Sequence, residues 1–215
     1  SPRSAGKTLP FRGQDLVVEA LGPDSFAGID VALFSAGATI SRQYAPAAVA
    51  AGCVVVDNSS AFRMDPETPL VVPEVNPQDL AKHKGVIATP TCTAAILSVA
   101  VWPIHKAAGV KRIVVSTYQS ASGAGAAAMQ ELEDQARDFA AGKEIKRSVF
   151  PHQIAFNVFS HNTKVADNGY NEEENKVVEE TRKMFHAPEL PIVPTCIRVP
   201  VLRAHSESIA LELEK

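Results

Sequence analysis

Residues 53–57, with the sequence Cys-Val-Val-Val-Asp, restrict the fold more than any other stretch of the chain. An apolar run without polar alternation is typical of a strand that is buried on both faces, as in a parallel sheet covered by helices. A second strand is predicted at residues 29–34, and small residues after it lead into a helix over residues 41–51 that Gly52 ends. This order of strand, turn and helix indicates an α/β domain.

Small and polar residues follow three predicted strands, at residues 35–39, 58–63 and 89–92. In an open α/β sheet the ligand crevice lies at the carboxyl ends of the strands, so we expect these loops to face one place. The third loop connects a short strand at residues 85–88 to a helix. No GxGxxG fingerprint occurs in the chain, since the glycines of residues 123–125 lack the third glycine at the required spacing.

Hydrophobic periodicity and turn residues predict the remaining elements. Strands are predicted over residues 15–19, 110–118, 195–200 and 202–213, and helices over residues 94–108, 126–141 and 171–185. Pro103 interrupts the first of these helices, which we expect to kink or end near Trp102.

Charge and cysteine content exclude several classes of function. The chain of 215 residues has a formal net charge of −3, which gives no reason to expect a nucleic acid or an anionic membrane as a partner. No apolar run approaches the roughly 18 residues that a membrane span needs. The three cysteines form no CxxC pair, which argues against a disulfide framework or zinc site and favours a reducing compartment. His152 and His161 have no ligand spacing, so we interpret them as surface or structural residues and predict no metal.

Cys92 is the candidate nucleophile. It lies at a strand-to-helix turn, where Thr91 or Thr93 can cap the helix. Free N–H groups and the helix dipole stabilise a thiolate there, so we expect the pKa of Cys92 to be lowered. The alternative interpretation is a small buried cysteine, the commonest environment of a free thiol.

Arg198 and His205 are candidates near the end of the chain. An arginine in an apolar strand needs an anionic partner, such as a substrate carboxylate. His205 is interpreted either as a base or as a structural histidine. The two residues are seven positions apart, so in one extended segment they lie on opposite faces unless a bulge at Pro200 intervenes.

Two charged segments have both a binding and a structural interpretation. Residues 3–7 form a small, basic loop that can hold a phosphate or be a solvated terminus. The acidic run at residues 172–174 favours a helix start through the dipole. Glu173 also shares a helix face with Lys176, three residues further on.

Seven motifs occur in order along the chain. They are Phe34-Ser35-Ala36-Gly37, Val55-Val56-Asp57-Asn58-Ser59-Ser60-Ala61-Phe62-Arg63-Met64, Pro69-Leu70-Val71-Val72-Pro73-Glu74-Val75-Asn76, Ser116-Thr117-Tyr118-Gln119, Ser122-Gly123-Ala124-Gly125, Asp167-Asn168-Gly169-Tyr170-Asn171-Glu172-Glu173-Glu174 and Cys196-Ile197-Arg198-Val199-Pro200-Val201-Leu202-Arg203-Ala204-His205-Ser206. Together they resemble the aspartate-semialdehyde dehydrogenase family, most closely its bacterial and plastid branch.

The resemblance implies an α/β fold, with a Rossmann-like nucleotide-binding domain and an α+β catalytic and dimerisation domain. Residues 1–92 are expected to be part of the first, which binds NADP, and residues 93–215 part of the second. The family's glycine-rich loop before Ser1 and its last strands and helix after Lys215 are expected to be missing. The resemblance further implies a homodimer or tetramer, in the cytoplasm of a bacterium or in the plastid stroma, that acts on small molecules and has no nucleic-acid or membrane partner.

Each matched residue acquires a role from the same resemblance. The implied catalytic residues are Cys92 as the nucleophile, His205 as the acid/base and Gln119, which orients the substrate. The implied substrate-binding residues are Arg198 for the carboxylate, Glu173 near the amino group, and Arg63 and Lys176 for phosphate. The implied cofactor-binding residues are Arg3, Ser4, Ser35, Ala36, Gly37, Ser122, Gly123 and Gly125.

The implied reaction is the NADPH-dependent reduction of L-aspartyl 4-phosphate to L-aspartate 4-semialdehyde, with release of phosphate, in lysine, threonine and methionine biosynthesis. It passes through a thioester on Cys92, which suits a thiolate because it is a good nucleophile and a good leaving group. The family usually has an asparagine where this chain has Thr91. That amide is expected to help hold the oxyanion, and the loss of such a donor costs on the order of 10²–10³ in rate.

Two alternatives stay open. N-Acetyl-γ-glutamyl-phosphate reductase is a related acyl-phosphate reductase, but its substrate has no free ammonium, and the acidic run around Glu173 argues against it. A truncated paralogue of low or no activity is favoured by Thr91 and by the missing glycine-rich loop. The retained nucleophile and its matched partners oppose that second alternative.

Overall fold

The computed structural model describes residues 4–215, which divide into two compact units. The first consists of the residues up to Pro69 together with Lys82–Thr89, and the second of Leu70–Ala81 together with Pro90–Lys215. This division follows packing alone, so the domain boundary after residue 92 that the resemblance implies stays a prediction.

The first unit begins with an antiparallel hairpin of β1 (Thr8–Phe11) and β2 (Gln14–Val17). Its turn residues, Arg12 and Gly13, both have positive φ, 49° and 78°. This is the geometry that matches the twist of the flanking strands. The sequence predicts a single strand at residues 15–19, and β1 is missed because an Arg-Gly turn lacks the usual Asn-Gly or Asp-Gly signal.

A parallel sheet of three strands follows in the first unit. Its strands, in spatial order, are β3 (Val31–Phe34), β4 (Val54–Asp57) and β5 (Val86–Ala88), and α1 (Ala38–Ala50) connects β3 to β4. The register places Phe34, Asp57 and Ala88 side by side, so the carboxyl ends of the strands meet at one edge. The strand and helix predicted from the apolar run and its neighbours are therefore present.

Asp57 ties α1 and the loop after β4 to this edge. Its Oδ1 accepts hydrogen bonds from Ser41 Oγ at 2.7 Å and from Ser59 N at 3.1 Å, and its Oδ2 accepts from Ser59 Oγ at 2.7 Å. The carboxylate is buried, and these donors replace the water that it loses. The start of the loop after β4 is therefore held to the sheet edge by these hydrogen bonds.

The second unit contains a mixed sheet and three helices. Its strands are β6 (Val110–Gln119), β7 (Phe159–Ser160), β8 (Ile192–Arg198) and β9 (Ser206–Leu213), and its helices are α2 (Cys92–Ala108), α3 (Ala126–Ala140) and α4 (Glu172–Phe185). In the spatial order β7-β8-β6-β9, β6 is parallel to β8 and antiparallel to β9. Helix α2 packs against β6 and β9, and α4 packs against β8 and α2. Over residues 4–215, no helix is both long and apolar enough to cross a membrane.

One face of this sheet is largely buried, and its residues form rows across β8, β6 and β9. The rows are Ile192, Ile113 and Leu211; then Pro194, Val115 and Ile209; then Cys196, Thr117 and Glu207; and last Arg198 and Gln119. The face therefore changes from apolar to polar toward the carboxyl end of β6. The alternation of side chains along each strand places apolar residues in the core, and at one end of the sheet it places polar residues on the same face.

The chain between β8 and β9 differs from the prediction. Residues 199–205 form a loop, whereas the sequence predicts strands over residues 195–200 and 202–213. A loop is required because the chain reverses between β8, which is parallel to β6, and β9, which is antiparallel to it. Ala204 contributes to this reversal with a φ of 69°.

Helix α2 continues through Pro103 to Ala108, so it does not end near Trp102, and the alternative expectation of a kink there stays a prediction. A proline at position 103 removes the N–H that would bond to the carbonyl of Val99. Val99 and Pro103 are both exposed, so water can take the place of that donor. The missing backbone hydrogen bond therefore lowers the stability of the helix only slightly.

Glu207 stands in the third row of the buried face, without a polar partner among residues 4–215. Neither carboxyl oxygen is solvent-accessible or hydrogen-bonded within the described residues. Burial raises the pKa of Glu207 to about 7. In the unfolded chain a glutamate has a pKa of about 4.3 and releases its proton at lower pH. The folded state therefore loses stability as the pH rises from about 4.3 through about 7.

We expect Glu207→Gln to remove this pH dependence, because the amide does not titrate. From this one group, the free energy of unfolding of the unsubstituted protein should fall by up to about 3 kcal/mol across that range. Thermal and urea unfolding followed by circular dichroism at several pH values measures the slope. Glu212→Gln, at an exposed position of the same strand, is the matched control and should leave the slope unchanged. Identical slopes for Glu207→Gln and the unsubstituted protein would contradict the expectation.

Candidate active site

The last row of the sheet in the second unit carries two predicted site residues. Gln119 of β6 and Arg198 of β8 are register partners, and only 1% and 5% of their surfaces are exposed. Oε1 of Gln119 accepts a hydrogen bond from Thr117 Oγ1 at 3.0 Å. Its Nε2 donates to Oε1 of Glu173 at 3.3 Å. The amide orientation is thereby fixed from both ends.

Three groups hold the guanidinium of Arg198. Nη1 donates to the carbonyl of Ser120 at 3.1 Å, Nη2 lies 2.8 Å from Nε2 of His161, and the ring centre of Phe150 lies 5.8 Å from the guanidinium carbon. Nε is buried and has no hydrogen-bond partner among the described residues. A buried guanidinium donor without an acceptor suits an oxygen of an anionic ligand.

His205 joins this cluster from the loop before β9. Tyr118 pairs with Ser206 across antiparallel strands, so residue 205 returns beside Gln119. The opposite-face expectation for Arg198 and His205 applies to one continuous strand, and the loop breaks that strand. The two side chains are therefore brought together by the reversal.

Ser120 holds one nitrogen of the His205 ring. Nδ1 accepts from Ser120 N at 3.0 Å and lies 3.0 Å from Ser120 Oγ, which leaves Nε2 for another partner. Burial and the charge of Arg198 lower the pKa of His205, against a smaller raising effect of Glu173. The imidazole is therefore neutral near pH 7.

Gly123 leaves room for both of these side chains. A Cβ at this position would lie 3.0 Å from Nε2 of His205 and 3.1 Å from Nη1 of Arg198. A larger residue here would displace one of the two groups. The neighbouring predicted residues hold the same turn: Ser122 Oγ lies 3.0 Å from Ser120 Oγ, and Gly125 is the N-cap of α3.

Cys92 is the first residue of α2, and Thr91 is the N-cap of that helix. Neither Thr91 nor Thr93 supplies the side-chain cap that the sequence suggests. Both hydroxyls instead donate to Oε1 of Glu173, each at 3.2 Å. A nearby carboxylate is a stronger acceptor for these hydroxyls, and it comes from a helix far along the chain, so the local sequence does not reveal it.

The pKa of Cys92 is raised, contrary to the expectation from its place at a helix start. Loss of hydration inside the site is the largest cause, although the side chain is still exposed, and the negative charge of Glu173 adds to it. The N–H of Thr93, the hydroxyl of Thr91 and the charge of Arg198 lower the pKa but do not outweigh these two causes.

Glu173 connects most of these groups. Besides the two threonine hydroxyls and the Gln119 amide on Oε1, its Oε2 lies 3.5 Å from Nζ of Lys176, as their spacing on α4 predicts. The residue is 4% exposed. Burial alone would raise the pKa of Glu173, but the charge that His161 carries in acid, the charge of Lys176 and the hydroxyl donors lower it overall. The carboxylate is therefore ionised at neutral pH.

Two further carboxylates of α4 hold the helix against the site. Glu174 forms a reciprocal capping box with Asn171, and its Oε1 accepts from Cys196 N of β8 at 3.0 Å. Glu180 Oε2 accepts from Thr91 N at 2.6 Å. Helix α4 is therefore attached both to the sheet and to the turn that carries the candidate nucleophile.

His161 is the residue of this site that sequence reasoning missed. It was expected at the surface or in a structural role, and it is 9% exposed with its Nε2 against Arg198 Nη2. Its position depends on β7, whose Phe159 pairs with Arg198, and on the bond from His161 N to the carbonyl of Cys196 at 2.8 Å. No motif or ligand spacing could have identified it, because the contact arises only from strand pairing.

Several predicted cofactor residues belong to the first unit. Arg3 lies outside the described residues, and Ser4 lies in the turn before β1. Ser35, Ala36 and Gly37 follow β3, and Gly37, at a φ of 91°, is the N-cap of α1 without a side-chain cap. Free N–H groups at a helix start on the carboxyl edge of a parallel sheet suit the phosphates of a dinucleotide.

Arg63 also lies in the first unit, in the loop after β4. It is 8% exposed, and its Nη2 donates to the carbonyl of Asn58 at 3.1 Å. The loop begins at Asp57, whose carboxylate holds it to the sheet edge. Arg63 therefore provides a positive charge, fixed by its hydrogen bond to Asn58, in the loop that leaves the carboxyl end of β4.

The second unit therefore gathers a thiol, an amide, a guanidinium, an imidazole and a carboxylate at one end of its sheet. A thiol beside a proton carrier suits acyl transfer through a covalent intermediate. The guanidinium and the carboxylate suit the two charged ends of an amino acid. In the part of the chain that the structure covers, no cluster of His, Cys, Asp and Glu could hold a metal ion.

Comparison with known proteins bears on the same regions. The family model described as "Semialdehyde dehydrogenase, NAD binding domain" matches residues 1–83, and "Semialdehyde dehydrogenase, dimerisation domain" matches residues 101–215. The aspartate-semialdehyde dehydrogenase of Synechocystis sp. is 53% identical over 212 residues, which are 99% of this chain and 63% of that protein. The enzyme of that name from Bacillus subtilis is 46% identical over 222 residues, covering 100% and 64%.

Solved structures are similar over the whole chain. The aspartate semialdehyde dehydrogenase II of Vibrio cholerae has a TM-score of 0.97 and 43% identity, covering 100% of this chain and 65% of that one. A probable aspartate-semialdehyde dehydrogenase from Pseudomonas aeruginosa has a TM-score of 0.94 and 28% identity over 100% of this chain and 65% of that one. The chain thus spans a little under two thirds of the proteins it matches. These matches confirm the predicted fold class, a nucleotide-binding α/β domain with a dimerisation domain, and the chain belongs to the semialdehyde dehydrogenase family.

Proposed function

We propose that the protein containing this chain is an aspartate-semialdehyde dehydrogenase. It reduces L-aspartyl 4-phosphate to L-aspartate 4-semialdehyde with NADPH, as a step in lysine, threonine and methionine biosynthesis. The observation that carries the proposal is the convergence of Cys92, Gln119, Arg198, His205 and Glu173 at one end of one sheet. The names of the similar proteins support the same reaction.

Cys92 acts as the nucleophile in this scheme. Its thiolate attacks the acyl carbon of the substrate, the bond from that carbon to the phosphate oxygen breaks, and inorganic phosphate leaves behind a thioester. NADPH, when bound, supplies the hydride that reduces the thioester. The thiohemiacetal then releases the aldehyde when its carbon–sulfur bond breaks and the thiolate returns to Cys92.

His205 moves the proton at the substrate oxygen. Ser120 engages Nδ1, so Nε2 is the nitrogen that serves the substrate. The lowered pKa of His205, caused first by burial and then by Arg198, keeps the ring neutral near pH 7. Because Nδ1 accepts from Ser120 N, the ring proton lies on Nε2, from which it can be donated to the substrate oxygen and later recovered. Gln119, fixed by Thr117 and Glu173, orients the acyl group beside the thiol.

Charged residues of the site bind the two charged groups of the substrate's amino-acid end. The unpartnered Nε of Arg198 serves the α-carboxylate, and Glu173, which is ionised, serves the α-ammonium. Lys176 is the proposed phosphate-binding cation of the second unit, and Arg63 is that of the first unit. Glu173 also disfavours N-acetyl-γ-glutamyl phosphate, because an acetylated amine brings no charge to this carboxylate.

Within the first unit, the residues proposed to bind NADP are Ser35, Ala36 and Gly37, together with Arg3 and Ser4. The second unit, taken by itself, offers a further set, Ser122, Gly123 and Gly125, for the same kind of ligand. The open turn at Gly37 and the free N–H groups of α1 support the first set. We also propose a homodimer or a tetramer, based on the match to the dimerisation domain. A reducing compartment, bacterial cytoplasm or plastid stroma, agrees with three unpaired cysteines.

The complete protein should oxidise L-aspartate 4-semialdehyde only when NADP⁺ and phosphate are both present. Absorbance of NADPH measures the reaction, and the Cys92→Ser variant is the control. N-Acetylglutamate 5-semialdehyde should be turned over at least about 100-fold less efficiently, because it leaves the buried carboxylate of Glu173 without its partner. Preference for the acetylated substrate would support the related reductase instead. The absence of turnover with either would support a non-catalytic paralogue.

Cys92 should be alkylated by iodoacetamide faster than the other two cysteines. It is exposed, whereas Cys53 and Cys196 are buried, and burial raises the pKa of Cys196 to about 12. Peptide mass spectrometry after short reaction times at pH 8 gives the three rates. All three thiols should react alike in denaturant, which serves as the control. Equal rates in the folded protein would show that the thiol of Cys92 is not the accessible one.

We expect Thr91→Asn to raise kcat by about tenfold or more, because an amide donor at this position can reach the oxyanion, whereas the hydroxyl is turned toward Glu173. Steady-state kinetics with aspartate semialdehyde measures the change. Thr91→Val keeps the side-chain shape without the hydroxyl and should bring no gain. A kcat in Thr91→Asn no higher than in the unsubstituted protein would mean that Thr91 or another group already holds the oxyanion.

A further inference from the structure

We propose that His161 is a positioning residue, which fixes the guanidinium of Arg198 by accepting its Nη2–H on a neutral imidazole that is protonated at Nδ1. The inference deepens the proposed function, because it rests on the role of Arg198 as the group that grips the substrate carboxylate. His161 itself is given no contact with the substrate.

The donor and acceptor roles follow from chemistry. A guanidinium has only donors, so the 2.8 Å contact between Arg198 Nη2 and His161 Nε2 requires a lone pair on Nε2. The ring proton must then be on Nδ1, which lies 3.3 Å from Thr163 Oγ1. That oxygen also accepts from Glu173 N at 3.3 Å. Hydrogen bonds are therefore donated in one direction, from Arg198 to His161 and from His161 to Thr163.

The acceptors that hold Arg198 are neutral. The carbonyl of Ser120 takes Nη1–H, the imidazole of His161 takes Nη2–H, and Phe150 covers the guanidinium with its ring. A carboxylate in place of His161 would pair with the guanidinium and compete with an anionic substrate. Neutral acceptors fix its orientation and leave its charge, and the unbonded Nε, for a ligand.

Four titratable or charged groups surround His161. Arg198 of β8, Lys176 of α4 and His205 of the loop before β9 favour the neutral ring, and Glu173 of α4 opposes it. Burial is the largest cause, and with the charge of Arg198 it lowers the pKa of His161 to about 4, against a raising effect of Glu173. A protonated ring would present Nε2–H to another donor, so the contact with Arg198 exists only above that pH.

A comparison of two substrates distinguishes a positioning role of His161 from a general effect on the fold. The test compares L-aspartate 4-semialdehyde with 3-aminopropanal, which lacks the carboxylate that Arg198 would grip. In His161→Leu, we expect KM for the semialdehyde to rise about 10- to 100-fold with kcat within about threefold, because a donor of Arg198 loses its acceptor. The kcat/KM for 3-aminopropanal should not change, whereas damage to the fold would lower both.

Two variants serve as controls. His161→Gln offers a neutral oxygen acceptor and should restore KM to within about threefold of the unsubstituted value. His152→Leu removes an exposed histidine of the preceding loop, which packs on Phe159, and should leave both substrates unaffected. Equal losses for both substrates in His161→Leu, or no rescue in His161→Gln, would overturn the proposal.

The ring tautomer gives a readout that needs no turnover. Long-range ¹H–¹⁵N correlation spectra of ¹⁵N-histidine-labelled protein at pH 7, assigned with His161→Gln, should show His161 protonated on Nδ1 and bare on Nε2. A proton on Nε2 would overturn the proposal even in an inactive protein. A protein without dehydrogenase activity but with the Nδ1–H tautomer would refute the proposed function and leave the hydrogen-bond assignment standing.

Discussion

The hydrogen bonds that converge on one oxygen of Glu173 are the interaction on which the site depends. Thr91 and Thr93 before and within the first turn of α2, and Gln119 at the end of β6, all donate to this atom. Without it the two hydroxyls would be free to cap their own helix, and the amide would lose one of its two restraints. A buried carboxylate thus replaces local capping with a tertiary connection, and Glu180 strengthens that connection through Thr91 N.

The same charge acts against the thiol. Glu173 and loss of hydration raise the pKa of Cys92, while the Thr93 N–H and Arg198 lower it. A helix N-terminus alone would favour the thiolate, but its effect falls off within the first turn, and a full negative charge close by is larger than the half charge of the dipole. Position in a helix is therefore a poor guide to thiol pKa when an acidic residue packs across the turn.

Periodicity predicted most of the elements, because it reports which faces are buried. The apolar run at residues 53–57 and the alternation over residues 110–118 became β4 and β6, and the family motifs indicated the nucleotide-binding and dimerisation domains. The contact of His161 with Arg198 was not predictable, since it follows from the pairing of β7 with β8. The persistence of α2 through Pro103 was not predictable either, because it depends on which side of the helix meets water.

The rows of the buried face have a consequence for how the site comes into being. In β6, Ile113, Val115, Thr117 and Gln119 face inward, and a shift of the strand by one residue would turn Tyr118 inward and Gln119 outward. Such a slip would remove Ile113 and Val115 from the core and Gln119 from the site at the same time. Because the native register produces both the core and the functional groups, we expect no misregistered form of this sheet that is stably folded yet merely inactive.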